Sequence, residues 1–277
     1  MPGFTFIRGR AGSLDAPSIC SVVGAASASE GSDLSHDVLY SDPRSVLLVS
    51  HYRGYPWRWI ETRRFQIAVE GHIYTLDGSI ERELAQLAGR VFNTASASQV
   101  VSSWLRAIDG DFVLWMRNRD TERVLLLNDM LGRLPLYTAG DGSTSGRTVI
   151  SRSLRATARL LGNSAPDRRA MREMLLFGYP LGRRTLFNEI CRLPPASIVD
   201  PHEGTHVSAL DPIREARTGP AGGTREALAH QLVDRFREAC ARRAAVASRP
   251  VLGLSGGLDS RAVLSGLDRS AERGGLQ

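Results

Sequence analysis

The sequence predicts an α+β chain in two parts, a domain of many short strands and then the opening of a second, α/β domain. Three observations predict it. Short apolar or alternating runs recur through residues 1–203, and helical spacing occurs in only a few segments between them. Beyond a Gly- and Pro-rich stretch at 204–223 the pattern changes to a long helix, a short apolar run, a glycine turn and another helix.

The elements follow in order. Ser45 to Ser50 is a β-branched and Leu-rich strand candidate, and Arg64 to Val69 alternates before Glu70-Gly71. Ile73-Tyr74 leads to the turn Asp77-Gly78. Glu81 to Phe92 puts Leu84, Leu87, Ala88 and Val91 on one side of a helix, and Val100 to Ile108 forms a second helix that Asp109-Gly110 stops. Phe112 to Met116 and Val124 to Leu127 read as buried strands joined by a polar turn, with further strand pieces at Val149-Ile150 and Ile198-Val199. Residues 204–223 read as a linker. Thr224 then caps a helix of about twenty residues, with Leu228, Leu232, Val233, Phe236 and Cys240 at helical spacing. Pro250 stops that helix. Val251 to Leu254 reads as a short strand, and Asp259 to Leu267 as a helix with Val263, Leu264 and Leu267 on one face. A lone parallel strand can neither satisfy its backbone groups nor cover its apolar face. The expectation is therefore a fragment or half of a split gene product: a complete domain over 1–203, a linker over 204–223 and the start of another domain over 224–277.

Composition narrows the function. An apolar fraction of 42% is that of a globular protein, and no apolar run approaches the roughly 18 residues of a membrane span. The weakly apolar stretch Ile19 to Ala26 is broken by Gly24 and makes a poor secretory signal, so a cytoplasmic chain is expected. All 35 basic residues are arginine. The absence of lysine excludes Schiff-base lysine chemistry and the lysine-dependent phosphate loop. The net charge of +6 comes from scattered arginines with no long basic run, which argues against nucleic acid. Cys20, Cys191 and Cys240 form no metal or disulfide spacing, and His202 and His206 read as surface loop.

The most informative segment is Leu254-Ser255-Gly256-Gly257-Leu258-Asp259-Ser260. Gly256 and Gly257 let the backbone approach an anion closely, successive N–H groups can form an anion nest, and the following helix presents its N-terminal dipole. Ser255 and Ser260 add hydroxyl donors. Asp259 repels phosphate by itself, so its sensible role is to hold a bridging Mg²⁺. A plain βα turn with an N-capping Asp or Ser has the same small residues.

With these residues in view, the chain resembles the glutamine-dependent asparagine synthetase family, whose synthetase half opens with a loop like Leu254 to Ser260. Arg261 stands where a second serine is commoner. The N-terminal half is similar to that family's glutaminase domain through Asp109-Gly110-Asp111-Phe112, Asn128-Asp129-Met130-Leu131-Gly132-Arg133-Leu134-Pro135-Leu136-Tyr137, Ser151 to Leu154, Gly178-Tyr179, Arg184-Thr185-Leu186-Phe187 and Arg192-Leu193-Pro194-Pro195. The resemblance implies an N-terminal-nucleophile-type αββα sandwich, followed by the first βα unit of an α/β adenine nucleotide hydrolase-like domain. It implies ATP and Mg²⁺ as cofactors, with ATP held by Leu254, Ser255, Gly256, Gly257, Asp259 and Ser260 and the metal by Asp259.

The departures carry as much as the likeness. The family's nucleophile is a cysteine after the initiator methionine, and this chain has Pro2. The family's Asn-Gly oxyanion pair is Glu70-Gly71 here, and a carboxylate opposes an oxyanion. The aspartate that grips glutamine's amino group aligns with Ala97. Arg53 matches the arginine that pairs with glutamine's carboxylate, and Gly71 keeps the glycine of the pair. No catalytic residue for glutamine hydrolysis therefore remains, since such parts act as a unit.

The implied function is an ATP-dependent ligase that forms an amide through an acyl-adenylate, on a small-molecule or peptide carboxylate, with ammonia or an amine as nitrogen donor. β-Lactam synthetases and lasso-peptide cyclases resemble this chain in lacking the cysteine, so a lactam-forming cyclase is one alternative. The other is a catalytically inert protein or binding module. A separate chain carrying the rest of the synthetase domain is the implied protein partner.

Overall fold

The computed structural model describes every residue except 29–32, 75–78, 141–145, 163, 203–204, 209–222, 247–250 and 272–277, and it leaves out the side chains of 205–208 and 268–271. The expected turn at Asp77-Gly78, most of the expected linker and Pro250 lie outside the described residues. The chain divides into two compact units, Met1–Ile73 with Gly78–Glu215, and Tyr74–Asp77 with Ala216–Gln277.

The first unit is built on two six-stranded antiparallel sheets. The strands are β1 (Gly3–Arg8), β2 (Ser35–Ser41), β3 (Ser45–His51), β4 (Trp57–Glu61), β5 (Phe65–Ile73), β6 (Gly110–Asn118), β7 (Val124–Asn128), β8 (Tyr137–Ala139), β9 (Thr148–Ser151), β10 (Ile190–Arg192), β11 (Ser197–Asp200) and β12 (Thr205–Ser208). One sheet runs β10-β8-β9-β1-β3-β2 and the other β12-β11-β7-β6-β5-β4. The helices are α1 (Ala16–Ala28), α2 (Ile80–Phe92), α3 (Ala97–Ala107), α4 (Leu154–Leu161) and α5 (Arg168–Phe177).

Three apolar clusters order these elements into four layers. Phe4, Phe6, Leu47 and Val49 of the first sheet meet Ala68, Val113, Trp115 and Leu126 of the second. Trp115 is the largest fully buried side chain of that seam and stacks on Trp59 with ring centroids 5.8 Å apart. On the far side of the second sheet, Ile67, Val69, Leu114 and Met116 pack under Leu84, Leu87, Val91, Val101 and Leu105 of α2 and α3. Beyond the first sheet, Ile7, Val46 and Leu48 pack under Ile19, Val23, Ala156 and Leu160 of α1 and α4. Alternate residues of β1, β3, β5 and β6 thus serve different layers, as the two-residue period of a strand requires. The result is an αββα sandwich of N-terminal-nucleophile type, as expected.

Some readings change. The apolar stretch Ile19 to Ala26 is part of α1 and a structural layer of the sandwich. Strand β12 pairs with β11 from Ser197↔Ser208 to Asp200↔Thr205, so the sheet runs past residue 203 and His206 stands on an edge strand rather than in a loop. His202 lies in the turn between them and accepts the Val124 N–H at 3.3 Å.

The second unit contains α6 (Arg225–Val246) and α7 (Leu258–Ala271). Thr224 caps α6 as predicted, its hydroxyl accepting the Ala227 N–H at 3.2 Å. Gly266 lets the two helices approach, for a Cβ there would lie 2.9 Å from Cys240 Sγ. The strand predicted at Val251 to Leu254 is absent: residues 251–255 have no regular structure, and Val251 is 93% exposed. The physical reason is the lack of a neighbouring strand among the described residues to pair it. The βα unit is here a coil and a helix.

Candidate functional site

The position that would carry a nucleophile lies at the start of β1. Met1 is exposed and Pro2 half-buried, and Gly3 pairs with Ser50 at the end of β3. Strand β9 flanks β1 on its other side, with Thr5 opposite Ser151. The next residue, Arg152, extends that ladder by donating its N–H to the Phe4 carbonyl at 3.0 Å. Glu70 comes from the second sheet. In β5, Ile67 and Val69 face the helices while Ala68 faces the other sheet. The alternation carries Glu70 to the same inner side.

Glu70 is 0% exposed, and its carboxylate is satisfied on all sides. Its Oε2 accepts the Phe4 N–H at 2.8 Å. Its Oε1 accepts Arg152 Nε at 2.7 Å and the Tyr55 hydroxyl at 2.5 Å. A second guanidinium nitrogen of Arg152 donates to the Pro135 carbonyl. Burial pushes the Tyr55 hydroxyl far above its ordinary pKa, and the adjoining Glu70 charge adds to this, so Tyr55 is a donor and not a base. An isolated carboxylate in this gap would be very costly. The guanidinium and two further donors offset that cost.

Glu70, which the resemblance puts at the oxyanion position, is locked in an inter-sheet ion pair. Sequence reasoning assigned neither Arg152 nor Tyr55 to the site, although Arg152 falls inside the segment Ser151 to Leu154 that carries part of the family resemblance. Gly71 has φ +93°, and a Cβ there would collide with the Asp111 carbonyl, so this glycine is required for the approach of β5 to β6. Arg53 is exposed in the turn that Tyr55 N–H to Tyr52 O closes at 3.0 Å. Ala97 begins α3 and packs against the helical side of the second sheet. The geometry thus joins Gly3 and Phe4 of β1 with Glu70, Arg152 and Tyr55, with Pro2 next in the chain to Gly3 and Gly71 next to Glu70.

The motif 128–137 proves structural. Asn128 Oδ1 accepts the Ser197 N–H at 2.7 Å, and its Nδ2 donates to the Pro194 carbonyl at 2.9 Å, which ties β7 to the closing segment. Asp129 accepts the Leu131 N–H at 2.9 Å, and burial pushes its carboxyl up in pKa. Arg133 pairs with Asp111.

The loop 254–260 is described within the second unit alone. Ser255 and Ser260 hydroxyls lie 3.0 Å apart, Ser260 Oγ accepts the Ser255 N–H at 3.1 Å, and Ser255 Oγ accepts the Gly257 N–H at 3.2 Å. Arg261 folds back to donate to the Gly256 carbonyl at 2.9 Å. A Cβ at Gly256 would meet nothing within 4 Å. Asp259 is exposed in the first turn of α7. Among the described residues, no group of three or more His, Cys, Asp or Glu could hold a metal ion. The hydroxyls and the first-turn amides of α7 are donors that fit a phosphate.

These features define a class by fold: a four-layer sandwich of two antiparallel sheets between helical layers. The chain belongs to the glutamine amidotransferase domain family, whose model matches residues 51–209, more than half of its length. Among solved structures it is similar to a glutamine phosphoribosylpyrophosphate amidotransferase from B. subtilis complexed with ADP and GMP, at 12% identity and a TM-score of 0.44. It is also similar to a protein described as the allosteric regulatory enzyme of purine biosynthesis, at 11% identity and a TM-score of 0.45. Each alignment covers 75% of this chain and 49% of the other, so the chain spans about half the length of these structures. No curated protein gives a significant match. No helix among the described residues is long and apolar enough to cross a membrane.

Proposed function

We propose that the first unit is a glutamine amidotransferase-type domain that no longer hydrolyses glutamine and serves as the scaffold of an ATP-dependent amide-forming ligase of asparagine-synthetase type. The observation that carries the first half is the buried Glu70–Arg152 pair, in which a carboxylate stands where the resemblance expects an oxyanion donor, while position 2 is proline. The donors around it, Arg152, Tyr55 and the Phe4 amide, are already committed to Glu70 and leave none for a developing oxyanion. Nitrogen then comes from free ammonia or from an amine on the substrate.

The ligase half rests on the loop 254–260. In this reading Ser255, Gly256, Gly257 and Ser260 receive the phosphates of ATP, with Leu254 leading into the turn and Asp259 holding Mg²⁺. ATP supplies the leaving group that activates the carboxylate, as an acyl-adenylate. The ligase belongs to the whole protein, and a polypeptide carrying the remainder of the nucleotide site would act with this chain. The test is ATP–pyrophosphate exchange by the chain, alone and together with the polypeptides of adjoining reading frames, over a panel of carboxylic acids. Exchange dependent on one acid and abolished by Asp259→Ala is the expected result. No exchange with any acid in either preparation favours an inert binding module instead.

A further inference from the structure

We propose that Arg152 and Tyr55 seal the chamber between positions 2 and 70, so that this domain is closed to glutamine for a third reason besides its missing nucleophile and its missing oxyanion donor. The inference rests on the assignment of position 2 to the nucleophile and position 70 to the oxyanion donor. It adds an obstruction that neither position reveals.

The geometry is specific. A Cβ on Gly3 would sit 2.5 Å from Glu70 Oε1 and 2.8 Å from Arg152 Cβ, and would collide with Arg152 Cγ. The space beside Gly3, the residue next to position 2, is therefore already full, and Gly3 at φ +128° lacks the side chain that would not fit. Arg152 is 6% exposed. Its stem lies along Gly3, and its head is held from both ends by Glu70 and the Pro135 carbonyl. Tyr55 closes the same carboxylate from the turn that carries Arg53. An amide substrate that must lie between the side chains of residues 2 and 70 would have to displace a buried guanidinium held by at least two hydrogen bonds. Replacing Glu70 alone does not remove Arg152, whose bond to Pro135 is independent of residue 70. The seal depends on Arg152 more than on the carboxylate.

The consequence is that restoring the two chemical groups does not restore the site. In the double variant Pro2→Cys with Glu70→Asn, the introduced thiol should stay unreactive toward a glutamine-shaped diazoketone, while iodoacetamide, which needs no chamber, still alkylates it. Adding Arg152→Ser should raise the diazoketone rate at least about tenfold relative to iodoacetamide, because a pocket that encloses most of its ligand discriminates by shape. Equal diazoketone labelling of the double and triple variants overturns the proposal. So does failure of both to label while iodoacetamide reacts, since removing Arg152 would then have opened nothing. A cooperative melt is required of each variant. If the triple variant does not fold, titration calorimetry of L-glutamine into the unaltered chain decides: no saturable heat is expected, and saturable binding overturns the seal. The two readings fail separately. Diazoketone labelling of the Pro2→Cys thiol with Arg152 in place, in a protein whose unaltered form releases no ammonia, contradicts the seal and leaves the scaffold reading intact.

Discussion

Glu70 and Arg152 meet across the gap between two sheets, and the buried carboxylate depends on the cation there. Arg152→Met keeps the aliphatic stem and removes the cation, leaving Glu70 with only the Phe4 amide and the Tyr55 hydroxyl. Breaking one partner of a buried pair in this way is expected to cost about 3–5 kcal/mol in urea denaturation. Combining it with Glu70→Gln should return part of the loss, for a coupling of about 1–3 kcal/mol. A single-variant loss below about 1 kcal/mol would place the pair among weak surface bridges. The resemblance puts residue 70 at the oxyanion position, but nothing in the sequence pairs it with Arg152. The two residues are 82 positions apart, and the contact exists only because β9 lies beside β1 and the sheets stack. A carboxylate read alone looks repulsive, whereas in the fold it is neutralised.

Helix α5 shows a similar dependence on its surroundings. Its Glu173 gathers the segment that follows: Leu181 N–H donates to it at 2.8 Å, Arg184 Nε at 3.0 Å and Arg169 Nε at 3.2 Å. The Arg184 hydrogen bonds, and then the Leu181 amide, hold its carboxyl at about 2 against an ordinary 4.5. A depressed carboxylate stabilises above the unfolded value and ceases to do so as pH falls through the folded one. The closing segment 178–192 should therefore loosen between about pH 4.5 and about pH 2, seen as loss of amide protection at Leu181, and Glu173→Gln should remove that pH step. Elements of strong signal were legible in the sequence: β5 from alternation, β3, β6 and β7 as apolar runs, and α2 and α3 from i, i+3, i+4 spacing. Strand β1 gave no clear signal, because Gly3–Arg8 is buried nearly throughout and does not alternate. Helix α1 is rich in Ala, Ser and Gly, and its three buried apolar residues are too sparse to mark a stripe. Val251 to Leu254 read as a strand from composition, but a parallel strand is made by its neighbours.

Taken whole, the first unit keeps the architecture of a glutamine amidotransferase domain, and in our proposal it has lost that domain's chemistry. The three apolar clusters and the Asn128 bridge to the closing segment preserve the sandwich. Of the positions that the resemblance assigns to glutamine, Pro2, Glu70, Ala97 and Arg53, only Arg53 keeps the expected residue, and Ala97 packs on the helical side of the second sheet. The family resemblance was readable because its motifs in 109–137 and 178–195 are structural and were retained in order. The site was legible only in part, since Pro2 is read directly from the sequence whereas the contacts of Arg152 exist only in the fold. The most direct measurement of the central claim is ammonia release from L-glutamine by the purified chain, followed with a coupled dehydrogenase at neutral pH. The account predicts no release above a glutamine-free control. Release that saturates with glutamine and scales with protein concentration would contradict it.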